Sequence, residues 1–94
     1  MAQPMTLIKV KQNLRIKHNE LDDDLRDCID ACKADLEMCG VRAEEEDQLI
    51  RNAIKLWSRA HFTDDTPKAA AYMERYNALK GSLMVDSAHR RVEQ

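Results

Sequence analysis

Apolar residues recur along this chain at the spacing of a helix face. Leu7, Val10 and Leu14 fall at i, i+3 and i+7, which predicts a short helix over about 7–14, with Thr6 as its cap. Arg15 to His18 reads as a polar connector. The longest stripe follows. Leu21, Leu25, Cys28, Ile29, Cys32, Leu36 and Cys39 predict a second helix over about 20–39 with one buried face. Asn19 is placed to cap it, and Asp22, Asp23 and Asp24 lie in its first turn, facing the positive end of the helix dipole. Gly40 stands where a helix terminator belongs. A third helix is expected over about 44–61. Glu44, Glu45, Glu46 and Asp47 open it, Lys55 and Arg59 lie towards its end, and Leu49, Ile50, Ala53, Ile54 and Trp57 form its apolar face. Thr66-Pro67 predicts the start of a fourth helix over about 67–80, with Ala70, Met73, Tyr76, Leu79 and Leu83 on or near one face. Gly81 either ends or weakens it.

The expected fold is therefore all-α, a small bundle of about four helices with a short first and a long second member. Its core is expected to contain Leu25, Ile29, Leu36, Ile54, Trp57 and Tyr76. One domain spans 1–94, with 1–5 and about 86–94 as flexible tails. Two glycines and two prolines leave few tight turns, which suits helices better than a sheet. A chain of 94 residues with four aromatic side chains has a thin core, so oligomerisation is a reasonable source of further burial.

Charge sharpens that picture. The formal net charge of −2 argues against a protein whose main task is gripping phosphates. Its distribution is uneven. Residues 1–19 hold Lys9, Lys11, Arg15 and Lys17 and no acid. Residues 20–40 hold Glu20, Asp22, Asp23, Asp24, Asp27, Asp30, Asp35 and Glu37 against Arg26 and Lys33. A basic arm beside an acidic helix suits pairing between subunits, and it equally suits two solvated faces.

The chemistry-bearing residues have plainer explanations. Cys28, Cys32 and Cys39 lie on the apolar stripe without a CxxC knuckle, so they read as core packing. No signal-like apolar region precedes them, and reduced thiols of a cytoplasmic protein are expected. Asp22–Asp24 lacks the alternating ligands, glycine and distant glutamate of a calcium loop and reads as helix capping. No nucleophile elbow, paired-histidine metal motif or glycine-rich phosphate loop is present, so no enzyme is expected. No apolar run approaches the length of a membrane span. Arg90-Arg91 reads either as a contact to nucleic acid or an acidic partner, or as solvated tail.

Leu7, Val10-Lys11, Leu14-Arg15-Ile16, Leu21-Asp22 and Ile29 through Lys33 together resemble the opening of the phage head–tail connector (adaptor) family of long-tailed phages and prophages. Gln48 to Ile54 is similar to that family's third-helix segment, and Met73 to Leu83 resembles its closing helix. The resemblance covers about 6–84 and rests on the order and spacing of these pieces.

It implies a structural virion protein without cofactor or metal. Such a protein forms a homo-oligomeric ring, commonly of about twelve or thirteen copies, under the portal. There it extends the DNA channel and receives a head-completion or tail protein. Double-stranded DNA would pass without sequence-specific binding, and assembly would occur in the host cytoplasm. On this reading Lys9, Lys11, Arg15, Asp22, Asp23 and Asp24 are expected at the subunit interface. Acids from the 20–47 region are expected to face the channel, and Arg90, Arg91 and Val92 to dock on the portal. The alternative is a small helical regulatory or interaction module acting as a monomer or dimer.

Overall fold

The computed structural model describes residues 5–17 and 19–86. Four helices follow one another among these residues: α1 (Met5–Leu14), α2 (Asp22–Met38), α3 (Gln48–Phe62) and α4 (Thr66–Val85). Helix α3 is the centre of the bundle and packs against each of the other three, while α1 also rests on α2. The core is drawn from every element: Leu7 and Val10, then Leu25, Ile29, Cys32 and Leu36, Val41 beyond α2, Ile50, Ala53 and Ile54, and finally Tyr76 and Leu83.

Helix ends differ from expectation in instructive ways. Thr6 lies inside α1 and is buried, so it does not cap the helix. Its hydroxyl instead bonds the Glu45 carboxylate. Asn19 is not the N-cap residue of α2; its Oδ1 accepts a hydrogen bond from Lys11 Nζ at 2.7 Å and its backbone carbonyl accepts from the Asp22 amide at 3.2 Å. Leu21 is the N-cap residue and offers no side-chain bond, and α2 begins at Asp22. Helix α3 begins at Gln48, later than its acids suggested, with Asp47 as the cap accepting from the Leu49 amide at 2.8 Å. Asp65, one residue before Thr66, caps α4 by accepting from the Lys68 amide at 3.1 Å. Gly81 does not end α4, which runs one further turn and buries Leu83.

Two helices close with the same device. After α2, the Gly40 amide donates to the Glu37 carbonyl at 3.0 Å and the Val41 amide to the Leu36 carbonyl at 2.9 Å. Gly40 takes φ +82°, and buried Val41 and Leu36 supply the apolar contact that accompanies this motif. After α1, the Arg15 amide donates to Gln12 at 3.2 Å and the Ile16 amide to Lys11 at 2.9 Å. Here the left-handed residue is Arg15, at φ +60°. A side chain with a Cβ pays roughly 1–2 kcal/mol for that conformation.

The apolar face of α3 is rotated slightly from its expected position. Ile50, Ala53, Ile54 and Ser58 face inward, whereas Leu49 is exposed. Trp57 is half-buried at the rim, its ring stacked on His61 at 4.5 Å and edge-on to Tyr76 at 5.1 Å.

Candidate functional site

The surfaces a partner could use are set by which charges the fold satisfies internally. Lys11 and Asp22 are satisfied. Lys11 Nζ lies 2.8 Å from Asp22 Oδ1, and both side chains are about nine-tenths buried. With the Asn19 bond, this lysine ties the end of α1 to the start of α2. Of the six charged residues expected between subunits, these two therefore face each other within one chain. Lys9, Arg15, Asp23 and Asp24 are exposed.

Two further internal hubs hold the bundle. Glu45, in the loop before α3, accepts from Lys33 Nζ at 2.7 Å and from the Thr6 hydroxyl, while Arg51 Nε donates to its backbone carbonyl at 2.6 Å. The Lys33 and Thr6 bonds hold the Glu45 carboxyl below the usual carboxylate range despite partial burial. Asp35 joins α2 to α4, accepting from the Tyr76 hydroxyl at 2.6 Å and from Lys80 Nζ at 3.0 Å. Burial pushes its carboxyl up, but these two bonds outweigh it and the net shift is downward. Burial and the bond to Asp35 push the Tyr76 phenol up.

The thiols are free and only partly in the core. Cys32 is fully buried, and desolvation pushes its thiol up to about 12. Cys28 and Cys39 lie at the rim, because the stripe that packs inward is Leu25, Ile29, Cys32 and Leu36. Desolvation raises Cys28 as well, with Ser58 Oγ 4.0 Å away. A thiol held protonated is a poor nucleophile and metal ligand. Among the described residues, no group of three or more His, Cys, Asp or Glu could hold a metal ion, and no helix is long and apolar enough to cross a membrane.

Two charged surfaces remain. On α2, Asp23, Asp27, Asp30 and Glu37 are exposed at i, i+4, i+7 and i+14, which puts them on one face. Away from α2, the end of α1 meets α3 and α4 along a groove. It consists of two adjoining hollows of about 240 and 360 Å³ that share Asn13 and Arg59. Arg15, Lys55, Arg59 and Lys68 line it, and no carboxylate does. The Arg59 guanidinium sits over the Tyr72 ring at 5.1 Å. Asn13 contributes a buried Oδ1 that has no hydrogen-bond partner among the described residues.

Sequence reasoning missed Lys55, Arg59 and Lys68 as groove residues, because the segments that carry them are nearly charge-balanced. The usable signal was Lys55 and Arg59 at i and i+4, which places both on one strip of α3. Arg90, Arg91 and Val92, expected to dock on the portal, lie outside the described residues.

Comparison with curated proteins and with solved structures finds no match in either set. The family model described as phage connector protein matches residues 6–90, from the first turn of α1 past the end of α4. An all-helical fold, charged surfaces left open for partners and a match over nearly the whole chain agree: this chain belongs to the phage connector protein family, whose members are structural components of phage virions.

Proposed function

We propose that this connector is a ring-forming head–tail adaptor. Copies assemble beneath the portal, extend the DNA channel and present a docking surface to a head-completion or tail protein. The observation that carries this reading is the pair of surfaces left over once the internal charges are matched, an acidic face on α2 and a basic groove on a different side of the chain. A family member with two opposed surfaces can join copies head to tail, and such contacts close into rings when the rotation permits. Lys9, Arg15, Asp23 and Asp24 belong to the contact between copies. The net negative charge suits a conduit, because DNA that must slide should not be held through many cationic contacts.

The C-terminal Arg90, Arg91 and Val92 are assigned to the portal. Removing residues 87–94 is expected to abolish portal docking and leave the thermal transition in place. For the function itself, the test is electron microscopy and native mass spectrometry of the chain mixed with portal rings. An added ring of about twelve or thirteen chains under each portal is expected. A stable one- or two-chain species at high concentration, with portal present, would overturn the adaptor reading in favour of a small regulatory module.

A further inference from the structure

We infer that the basic groove formed by α1, α3 and α4 is the seat for the acidic face of α2 from a second copy of this chain. The inference rests on the ring reading above and names the surfaces that would make it.

The groove is cationic without compensation. Arg15, Lys55, Arg59 and Lys68 line it, and none of them makes an ion pair among the described residues. Four cations elsewhere are paired within the chain, Lys11 with Asp22, Lys33 with Glu45, Arg42 with Glu44 and Lys80 with Asp35; the groove is set apart by gathering its cations in one place with no carboxylate among its lining residues. Arg15, Arg59 and Lys68 line one hollow and Lys55 and Arg59 the other, so like charges repel within each, and a carboxylate-bearing occupant would relieve them.

The occupant is argued from the opposite surface. Asp23, Asp27 and Asp30 are spaced at i, i+4 and i+7, so like charges neighbour one another along α2, and Glu37 continues the row. The row from Asp23 to Glu37 is about 21 Å long at 1.5 Å per residue. Arg26 and Lys33 lie along one edge of this row, and the face keeps a surplus of acid opposite in sign to the groove. No residue of α2 lines the groove. The two surfaces therefore do not overlap, and one copy can offer its α2 to one neighbour while receiving another neighbour's α2. That is the heterologous arrangement that builds rings. The apolar part of the groove, including Leu14, Leu56, Phe62 and Leu79, gives the contact area that charge alone lacks. On this assignment the α2 row works between subunits, not against passing DNA.

The test uses two charge-reversed chains. One carries Lys55→Glu and Lys68→Glu in the groove; the other carries Asp27→Lys and Asp30→Lys on α2. None of the four makes an ion pair of the internal hubs, although Asp30 acts through space on Lys33, and unchanged circular dichroism and thermal transition confirm each variant's fold. Each variant alone, with portal rings present, should lose self-association by about a hundredfold or more, because two of the four charges on one surface now repel the other and cancel its net attraction. An equimolar mixture should recover assemblies in which the two chains alternate at one to one, seen by native mass. Recovery cannot arise from a merely structural defect. The inference is overturned if either variant assembles like the wild type, or if both fail and the mixture does not recover. Loss of DNA retention by the groove variant with assembly intact would also overturn it, by assigning the groove to phosphates. A wild-type chain that never assembles would overturn the ring reading itself, an outcome distinct from failure of the variants alone.

Discussion

Lys11 and Arg15 lie one turn apart at the same end of α1, and the fold treats them differently. Lys11 points inward and meets Asp22 and Asn19 in a nearly water-free corner. Arg15 takes a left-handed backbone conformation, stays exposed and lines a groove without a carboxylate. Both belong to the basic arm that the sequence shows as a single block of charge. One fixes the angle between α1 and α2; the other is left for a partner. A charge count therefore does not say which cations hold the monomer and which are free to assemble it.

The largest predicted effect removes the internal member. Lys11→Met leaves Asp22 buried without its counter-charge, and a loss of about 3–5 kcal/mol of stability is expected in urea unfolding. Changing Asp22 to Asn in the same chain should restore much of it. A loss below about 1 kcal/mol would mean the pair is effectively surface-like, and the contrast with Arg15 would collapse. Tyr76→Phe tests the second internal connection, between α2 and α4. Removing the hydroxyl that donates to Asp35 should cost about 1.5–3 kcal/mol, read from the same transition.

Arg15→Gly sharpens the comparison from the other side. Relief of the left-handed strain, roughly 1–2 kcal/mol, is partly offset by about 0.4–1 kcal/mol from the more flexible unfolded chain. The monomer should gain up to about 1 kcal/mol in stability while its self-association weakens. Gly40→Ala, at the matching position after α2, should lose about 1 kcal/mol, because Gly40 pays no such strain. Nothing lies within 4 Å of an added Cβ there, so backbone conformation alone decides the sign.

Acid acts on two internal hubs. Asp35 and Glu45 have carboxyls lowered in the folded chain. Their contribution is present above the unfolded carboxylate range and is lost as pH falls through the folded values, so the melting temperature should begin to drop below about pH 4. Cys28, Cys32 and Tyr76 are raised. Their contribution is complete below the unfolded values and declines above about pH 9, as the unfolded chain ionises first. Melting curves across pH 3–11 check both limbs.

The helices were legible because periodicity and stop signals are local. Gly40 closes α2 where its position indicated, and Leu25, Ile29 and Leu36 face the core as their spacing requires. Caps were less legible, since a side chain that can cap can also be claimed from a distance. Thr6 goes to Glu45, 39 positions away in sequence by subtraction of their numbers, and Asn19 goes to Lys11. The buried Ser58 and the rim position of Trp57 depend on a small rotation of α3 that only packing fixes. The groove was hidden for the same reason: its four cations come from the turn after α1, from α3 and from α4, and converge only after folding.

One paired measurement bears most directly on the division between internal and free charges. Melting temperature and sedimentation in the presence of portal rings would be recorded for Lys11→Met and for the Lys55→Glu, Lys68→Glu double variant. Lys11→Met should melt well below the wild type. The groove variant should melt with the wild type and yet remain unassembled. A groove variant that assembles normally, or one that melts as low as Lys11→Met, would contradict the division.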